Sequence, residues 1–405
     1  MAVLANNLTP EDGASMTHRL AVSRIQLSEF RCYESLKLSL SAAPVVLTGP
    51  NGAGKTNLLE AVSLLAPGGG LRRAKLGEIA RNVPSNVPPT ETGAPRAWAV
   101  SANVETPDGA FQLGSGLDPA ALEQGRERRA VRIDGQAQRG QAALGRVCAA
   151  VWLTPQMDRL FLDGPSARRR FLDRLVFGLD PDHSSRVAAY EHSLRSRTKL
   201  LKEGKGDDKW LASIEDSMVR HGIAVAVARA ELLARLSRAG TMAIGPFPAA
   251  RLALSGDLED WLETLPAVEV EDKMRAALRD GRGRDATYGG AVVGPQRSDL
   301  LVWHDAKGQS ADQCSTGEQK ALLLSIIMAN TRLQTKARGA GPLLLLDEVV
   351  AHLDAERRNH LFDEIVALGV QAWMTGTDRA LFEGLDGRAQ FFRVEDATLS
   401  LETTP

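Results

Sequence analysis

"VVLTGPNGAGKTNLLEA", residues 45–61, decides the fold class. A short apolar run stops at Gly49, and apolar residues return at helical spacing after Lys55. Between them lies G-x-x-x-x-G-K-[ST], carried by Gly49, Gly54, Lys55 and Thr56. Such a loop turns backbone N–H groups onto a phosphate, and the following helix aims its positive dipole end at the same anion. Lys55 is placed to reach the β- and γ-phosphates, and the Thr56 hydroxyl to hold Mg²⁺. Asn51, Gly52, Ala53 and Asn57 complete the expected nucleotide-binding run. Alone, the loop does not separate kinase, GTPase and ATPase.

Bulk properties bound the rest. A chain of 405 residues suggests two or three domain-sized units. With 43% hydrophobic and 24% charged residues it has an ordinary globular mixture. A net charge of -1 announces no polyanion partner, so any nucleic-acid contact must come from local patches. The cysteines, Cys32, Cys148 and Cys314, have no C-x-x-C spacing, which fits a reducing cytoplasm. No apolar stretch is long enough to span a bilayer. Residues 1–17 are polar and acidic, lack signal-peptide features, and are expected to be a disordered extension, with Met16 an alternative start.

Along the chain, "RLAVSRIQL" (19–27) and the alternating Leu36, Leu38 and Leu40 read as half-buried strands. Residues 98–140 read as antiparallel β, with a turn at Pro107-Asp108-Gly109 and a hairpin in "AVRIDGQAQ". "VCAAVWLTP" is a buried strand leading to Gln156. Residues 166–178, 182–202 and 208–239 read as helices. In the last, Ile214, Met218, Val225, Leu232 and Leu236 form an apolar stripe. Loops rich in Gly, Pro and Arg are expected at 240–250 and 280–297. Beyond Gly294, strands "LLVWHD", "PLLLLDE" and "QAWMTG" alternate with helices "TGEQKALLLSIIMANTRLQ" and 355–368.

Further motifs share the chemistry of the loop. "LLLLDE" buries a strand and releases Asp347 at its carboxyl end, where a carboxylate can orient Mg²⁺. Glu348 follows and could polarise an attacking water. "STGEQK" (315–320) lies about 30 residues before Asp347. Ser315 can N-cap its helix with Glu318 closing a capping box. The same Ser315-Thr316-Gly317-Glu318-Gln319 run can also present a helix N-terminus to a phosphate held by a second protomer. Gln156 can touch Mg²⁺ and water, though a plain surface amide is the bland reading. Asp354 sits at a helix start, where it reads equally as an N-cap, and Thr377 ends the "MTGTD" stretch.

The order of phosphate loop, Gln loop, signature helix, Asp-Glu strand, Leu-Asp turn and switch threonine resembles the ATP-binding-cassette ATPases. In that class two protomers sandwich two ATP molecules. The loop and signature lie about 260 residues apart, with room for a compact helical cap. More specifically, the chain after residue 18 resembles the RecF family. The resemblance is carried by "EFRCYESLKLSL", "GPNGAGKTNLLEAVSLLAPGGGLR", "TPQMDRLFLDGPSARRRFLDR", "YEHSLRSRTKLL", "GPQRSDL" and "LLDEVVAHLDAERRNHL". Departures are Asp347-Glu348 where the family usually has two aspartates, a signature less close to S-x-G-Q, and Thr377 where transporters have a histidine. Arg31 and Tyr33 are candidate adenine contacts.

The resemblance implies an α/β P-loop ATPase head of the cassette type with an antiparallel β subdomain, spanning 18–163 and 294–405, and a helical cap over 164–293. It implies ATP and Mg²⁺ as cofactors, an ATP-dependent homodimer, weak DNA-stimulated hydrolysis, and binding to double-stranded and gapped DNA. RecR and RecO mediator proteins are the implied partners, with no membrane. Candidate DNA contacts are Arg72, Arg73, Lys75, Arg128 and Arg129, with further basic clusters at Arg126 and Arg132, Arg168–Arg170, and Arg195, Arg197, Lys199 and Lys202. For each cluster a solvated face is the plain alternative. Aromatics at 5% disfavour stacking on single strands. An energy-coupling subunit of a transporter shares the motif order, and a small-molecule phosphotransferase would use only the first loop.

Overall fold

The computed structural model describes residues 19–81, 97–204, 207–238 and 245–402. The expected extension at 1–17 and most of the expected loop start at 240–244 lie outside these residues. A mixed sheet runs through the centre, in the order β15-β14-β3-β13-β12-β8. Its strands are β3 (Val45–Thr48), β8 (Ala150–Leu153), β12 (Leu343–Leu346), β13 (Ala372–Gly376), β14 (Gln390–Glu395) and β15 (Thr398–Glu402). All neighbours are parallel except the β14–β15 hairpin. Val46, Val151, Leu344, Leu346 and Met374 enter one core, whereas Val45, Leu47, Trp152, Leu343, Leu345 and Trp373 enter another. A parallel sheet covered on both faces needs such unbroken apolar strands. The first core is closed by α10 (Thr316–Arg338) and α11 (Ala355–Leu368), the second by α1 (Lys55–Ser63).

The second core is roofed by an antiparallel sheet, ordered β2-β1-β4-β5-β6-β7. Its strands are β1 (Ala21–Phe30), β2 (Tyr33–Ser39), β4 (Ala99–Thr106), β5 (Gly109–Leu117), β6 (Arg129–Ile133) and β7 (Gln136–Ala137). Short helices α2 (Leu76–Ile79) and α3 (Pro119–Glu123) lie in its connections. The expected turn pairs Thr106 with Gly109. Fully buried Gln371 joins the two sheets. Its amide donates to the Val22 and Ser41 carbonyls at 3.0 and 2.9 Å and accepts from the Val22 N–H at 2.9 Å.

The helical part opens with α4 (Pro165–Phe177), α5 (His183–Glu203) and α6 (Asp208–Arg238), each within a residue of its expected limits. Met218, Val225, Leu232 and Leu236 of the expected stripe are buried, and Ile214 is half-buried. Three further helices follow: α7 (Asp257–Thr264), α8 (Ala267–Asp280) and α9 (Arg282–Tyr288). The last replaces part of the loop expected at 280–297. Its Asp285 docks on buried Arg197, and that tertiary ion pair outweighs the glycine-rich local sequence. Strand β9 (Ala250–Ser255) pairs with β10 (Asp299–His304), which also pairs with β11 (Gln309–Ser310). Packing cuts across the limits at 164 and 293. Phe171, Leu172, Leu175 and Val176 of α4 and Leu232, Leu233 and Leu236 of α6 belong to the core beneath α10. A separate core gathers Tyr190, Met218, Ile223, Val270, Met274 and Leu278. Among the described residues no helix is long and apolar enough to cross a membrane.

Arg197 is completely buried, so it is not the nucleic-acid contact its cluster suggested. It donates to Glu215 at 2.8 Å, Asp285 at 2.7 Å and the Leu278 carbonyl at 2.6 Å. Removing one partner from a buried ion network leaves uncompensated charge and costs about 3–5 kcal/mol. Arg197→Ala should therefore shift the urea midpoint of the full chain sharply downward. A shift no larger than that of an exposed Arg195→Ala control would remove the network from the stability of the cap.

Candidate nucleotide site

The carboxyl ends of β3, β12 and β13 meet at one edge of the central sheet, where open α/β sheets bind ligands. The Gly49–Thr56 loop leaves β3 there and α1 begins at Lys55. Two glycines are sterically obligatory. A Cβ on Gly49 would lie 2.1 Å from the Val394 carbonyl oxygen, and one on Gly54 would lie 2.7 Å from the Tyr33 hydroxyl. Both also have positive φ, 141° and 117°. Lys55 is buried, and its ammonium donates to the carbonyls of Gly49 and Pro50 at 2.7 and 2.8 Å. Burial lowers its pKa, and the charges of Glu348 and Asp347 oppose that shift.

The Thr56 hydroxyl lies 2.9 and 3.1 Å from the two Asp347 carboxylate oxygens. Thr375 completes the cluster: its hydroxyl donates to Asp347 at 2.8 Å and accepts the Glu348 N–H at 2.8 Å. Glu348 itself adopts a left-handed φ of 54°, a conformation that costs about 1–2 kcal/mol. The turn is held by Thr375, so the strained residue is the one next to the buried carboxylate. A hydroxyl and one carboxylate, both hard oxygen donors, suit Mg²⁺, which takes few protein ligands plus phosphates and water. Among the described residues no group of three or more His, Cys, Asp or Glu could hold a metal alone. Thr56 and Asp347 would hold Mg²⁺, and its charge would offset that of the phosphate oxygens.

Other expected residues divide. Gln156 is exposed in a short turn (Pro155–Arg159) beyond β8, whose Leu153 pairs with Leu346. Nearby, Lys320 of α10 pairs with Asp158 at 2.9 Å. Ser315 caps α10, and its N–H and hydroxyl both donate to Glu318 at 2.9 and 2.8 Å. Glu318 also pairs with Lys307, and these partners hold its carboxyl down at about 2. Thr316 and Gly317 are exposed, whereas Gln319 turns inward and donates to the Cys314 carbonyl at 2.9 Å. Asp354 caps α11 through the Arg357 N–H at 2.8 Å, which is the bland reading. Thr377 is exposed, and the hydroxyl that joins the cluster is that of Thr375.

Several expectations need correction. Tyr33 is buried under the loop, its hydroxyl donating to the Gly54 carbonyl at 3.1 Å, so it offers no face to adenine. Arg31 is locked on buried Glu60 at 2.7 and 2.8 Å and donates to the Glu78 carbonyl. Asn57 faces Cys32 and Arg72. Arg129 spends its donors on Ser115, Gln141 and the carbonyls of Leu64, Ala66 and Gly68, and burial lowers its pKa to about 10. It is a brace for the loop after α1, not a surface for DNA. Sequence reasoning missed Thr375, Glu60 and Gln371. A lone hydroxyl inside the apolar "AWMTG" was the available signal for the first.

Residues 21–400 match the family model described as the RecF/RecN/SMC N terminal domain. The DNA replication and repair protein RecF of Mesorhizobium japonicum is 46% identical over 381 residues, covering 93% of this chain and 97% of that protein. Its counterpart in Rhizobium rhizogenes is 47% identical over 381 residues, covering 94% and 98%. Among solved structures, the recombination mediator RecF–ATPrS matches with a TM-score of 0.80 at 20% identity, covering 96% of this chain and 99% of that one. The Smc head domain of Pyrococcus furiosus with an extended coiled coil matches with a TM-score of 0.52 at 15% identity, covering 95% and 96%. These likenesses carry the fold, an SMC-type head with a compact helical lobe. Near-full-length identity at this level carries the rest, and the chain belongs to the RecF family of DNA replication and repair proteins.

Proposed function

We propose that this chain is an ATP-dependent DNA-binding protein of recombinational and gap repair. ATP binding drives a homodimer that grips double-stranded or gapped DNA, and slow, DNA-stimulated hydrolysis releases it. RecO and RecR mediators then act with it in loading the recombinase, in the cytoplasm. The observation that carries the reading is the Thr56–Asp347–Thr375–Glu348 cluster at the mouth of the phosphate loop. It supports a site where Lys55 and the loop amides bind phosphate, Thr56 and Asp347 hold Mg²⁺, and Glu348 with Gln156 orients water. The exposed Ser315–Gly317 start of α10 supports completion of that site by a second copy. Lys75 and Arg128 are the outward cations for duplex phosphates, joined by the exposed Arg126 and Arg132. Such contacts give salt-sensitive binding with little sequence readout. The long helical lobe speaks against a transporter subunit.

Sizing with and without ATP and duplex DNA tests the reading. A chain that stays monomeric with ATP at micromolar concentration, and whose DNA binding ignores ATP, would refute it. Ser315→Arg should leave ATP affinity intact but abolish the ATP-dependent dimer, and an unimpaired dimer would contradict the shared site. Glu348→Gln should trap an ATP-bound dimer, whereas rapid phosphate release by that variant removes Glu348 as base. Thr375→Val keeps the shape but deletes both hydroxyl bonds, so turnover should fall roughly 10–100-fold, as for other residues that orient ligating carboxylates. Unchanged phosphate release would mean that Asp347 and Glu348 need no such support.

A further inference from the structure

Away from the nucleotide site, a cavity of about 230 Å³ lies between the glycine-rich stretch after α1, helix α4 and helix α5. None of its lining residues belongs to the phosphate loop, the Asp-Glu strand or the signature. Three guanidinium groups converge on it, from Arg73, Arg170 and Arg174. Among the described residues none of the three has a carboxylate at ion-pair distance. Arg170 donates to Ser166 of its own helix. Arg174 lies 4.3 Å over the Trp152 ring and 5.5 Å from that of Phe171. Its Nε is buried and has no hydrogen-bond partner, and the same is true of the Ser184 Oγ in the same wall.

The acidic residues there do not answer this charge. Asp173 is committed to Arg229 at 2.8 and 2.9 Å and to His183 at 2.9 Å. Glu191, at the rim, pairs with Arg195 at 3.6 Å. Burial lowers the Arg174 pKa to about 9, and the charge of Arg73 adds to that shift. Burial also lowers the Arg73 pKa, with the charge of Arg170 pushing the same way and that of Glu191 opposing it. Converging like charges and orphaned buried donors are costly unless an anion meets them.

We propose that this cavity binds a small phosphorylated anion through its terminal phosphate, independently of the nucleotide on the phosphate loop. A tetrahedral, multiply charged oxyanion accepts from several directions at once and suits three guanidiniums and a hydroxyl better than a planar carboxylate does. Arg174 and Ser184 set their free donors in the buried wall, beyond reach of a phosphate embedded in a duplex backbone, so the ligand is free or carries its phosphate at an end. Occupancy also has a route to α1. The neighbouring Arg72 holds Asn57 at 2.7 Å and Glu60 at 3.3 Å.

The probe is inorganic pyrophosphate, titrated calorimetrically into the full chain carrying Lys55→Ala, so that the phosphate loop is disabled. One binding event should persist. It should weaken at least about tenfold in Arg73→Gln and in Ser184→Ala, as expected for a lost charge-assisted contact. Arg73→Lys should restore part of it. Thermal melts of each variant without ligand identify any that fail to fold. Loss of all binding with Lys55→Ala alone overturns the proposal, as does binding that ignores Arg73→Gln. A parallel titration with a short duplex, with and without 5′-phosphates, separates the sources. If Arg73→Gln weakens duplex binding irrespective of 5′-phosphate and leaves pyrophosphate untouched, the cavity is the margin of a DNA surface and the proposal fails.

Discussion

Asp347 is the residue on which the head is organised. It leaves the carboxyl end of a strand whose four leucines are buried, and its carboxylate is shared between a hydroxyl from α1 and one from β13. Three elements that are far apart in sequence, around residues 56, 347 and 375, are thereby fixed at hydrogen-bond distance. The geometry follows from the sheet. Parallel neighbours in register bring their carboxyl ends to one edge, and a buried carboxylate there must find donors. The two that it finds are the hydroxyls of Thr56 and Thr375. Glu348 then takes a left-handed turn in which its N–H donates to the Thr375 hydroxyl, so the same side chain anchors both Asp347 and Glu348.

The second organising constraint is charge at the junction of head and helical lobe. Arg168 holds Asp299 at 2.8 Å, Arg169 holds the Ser298 carbonyl at 2.7 Å, and Arg229 holds Asp173 and the Pro295 carbonyl. Burial pushes the Asp173 carboxyl up, but the Arg229 charge and the bond to His183 bring it down to about 2. Its folded pKa therefore lies below the usual carboxylate value. The stability it contributes is present at neutral pH and drains only as pH falls from about 4 toward 2. With α4 and the end of α6 embedded in the head core, the lobe is rooted rather than hinged on a loop.

Much of this was legible in the sequence because periodicity reports burial. The phosphate loop, the Asp-Glu strand and the α4, α5 and α6 limits all sit where apolar spacing changes from one period to another. The three helices after α6 were not legible. Met274 and Leu278 share a core with α5, α6 and α7, and α9 depends on a salt bridge across 88 residues. Basic residues were read least well. Arg31 reads as an adenine contact, and Arg129 and Arg197 as DNA-facing surface charge, yet each is consumed inside the chain. Composition cannot say whether an arginine faces a phosphate or a carboxylate, because its fork suits both.

The signature helix shows what such internal pairing means for assembly. In the isolated chain Ser315 is bonded to Glu318, and Lys307 balances the carboxylate. The helix start is thus self-satisfied, with its hydroxyl proton directed at an internal anion. On the shared-site reading, a phosphate from a second protomer would compete with Glu318 for Ser315 and for the helix N-terminus. On that reading the capping box would set a threshold. A weakly held anion would leave it closed, whereas a triphosphate clamped by the partner's loop would bring enough charge to displace it. Lys307, exposed and already next to Glu318, is placed to keep that carboxylate neutralised in either state. On that same reading dimerisation would be gated by the full nucleotide rather than by chance contact of two apolar faces, because the helix start is polar and self-capped.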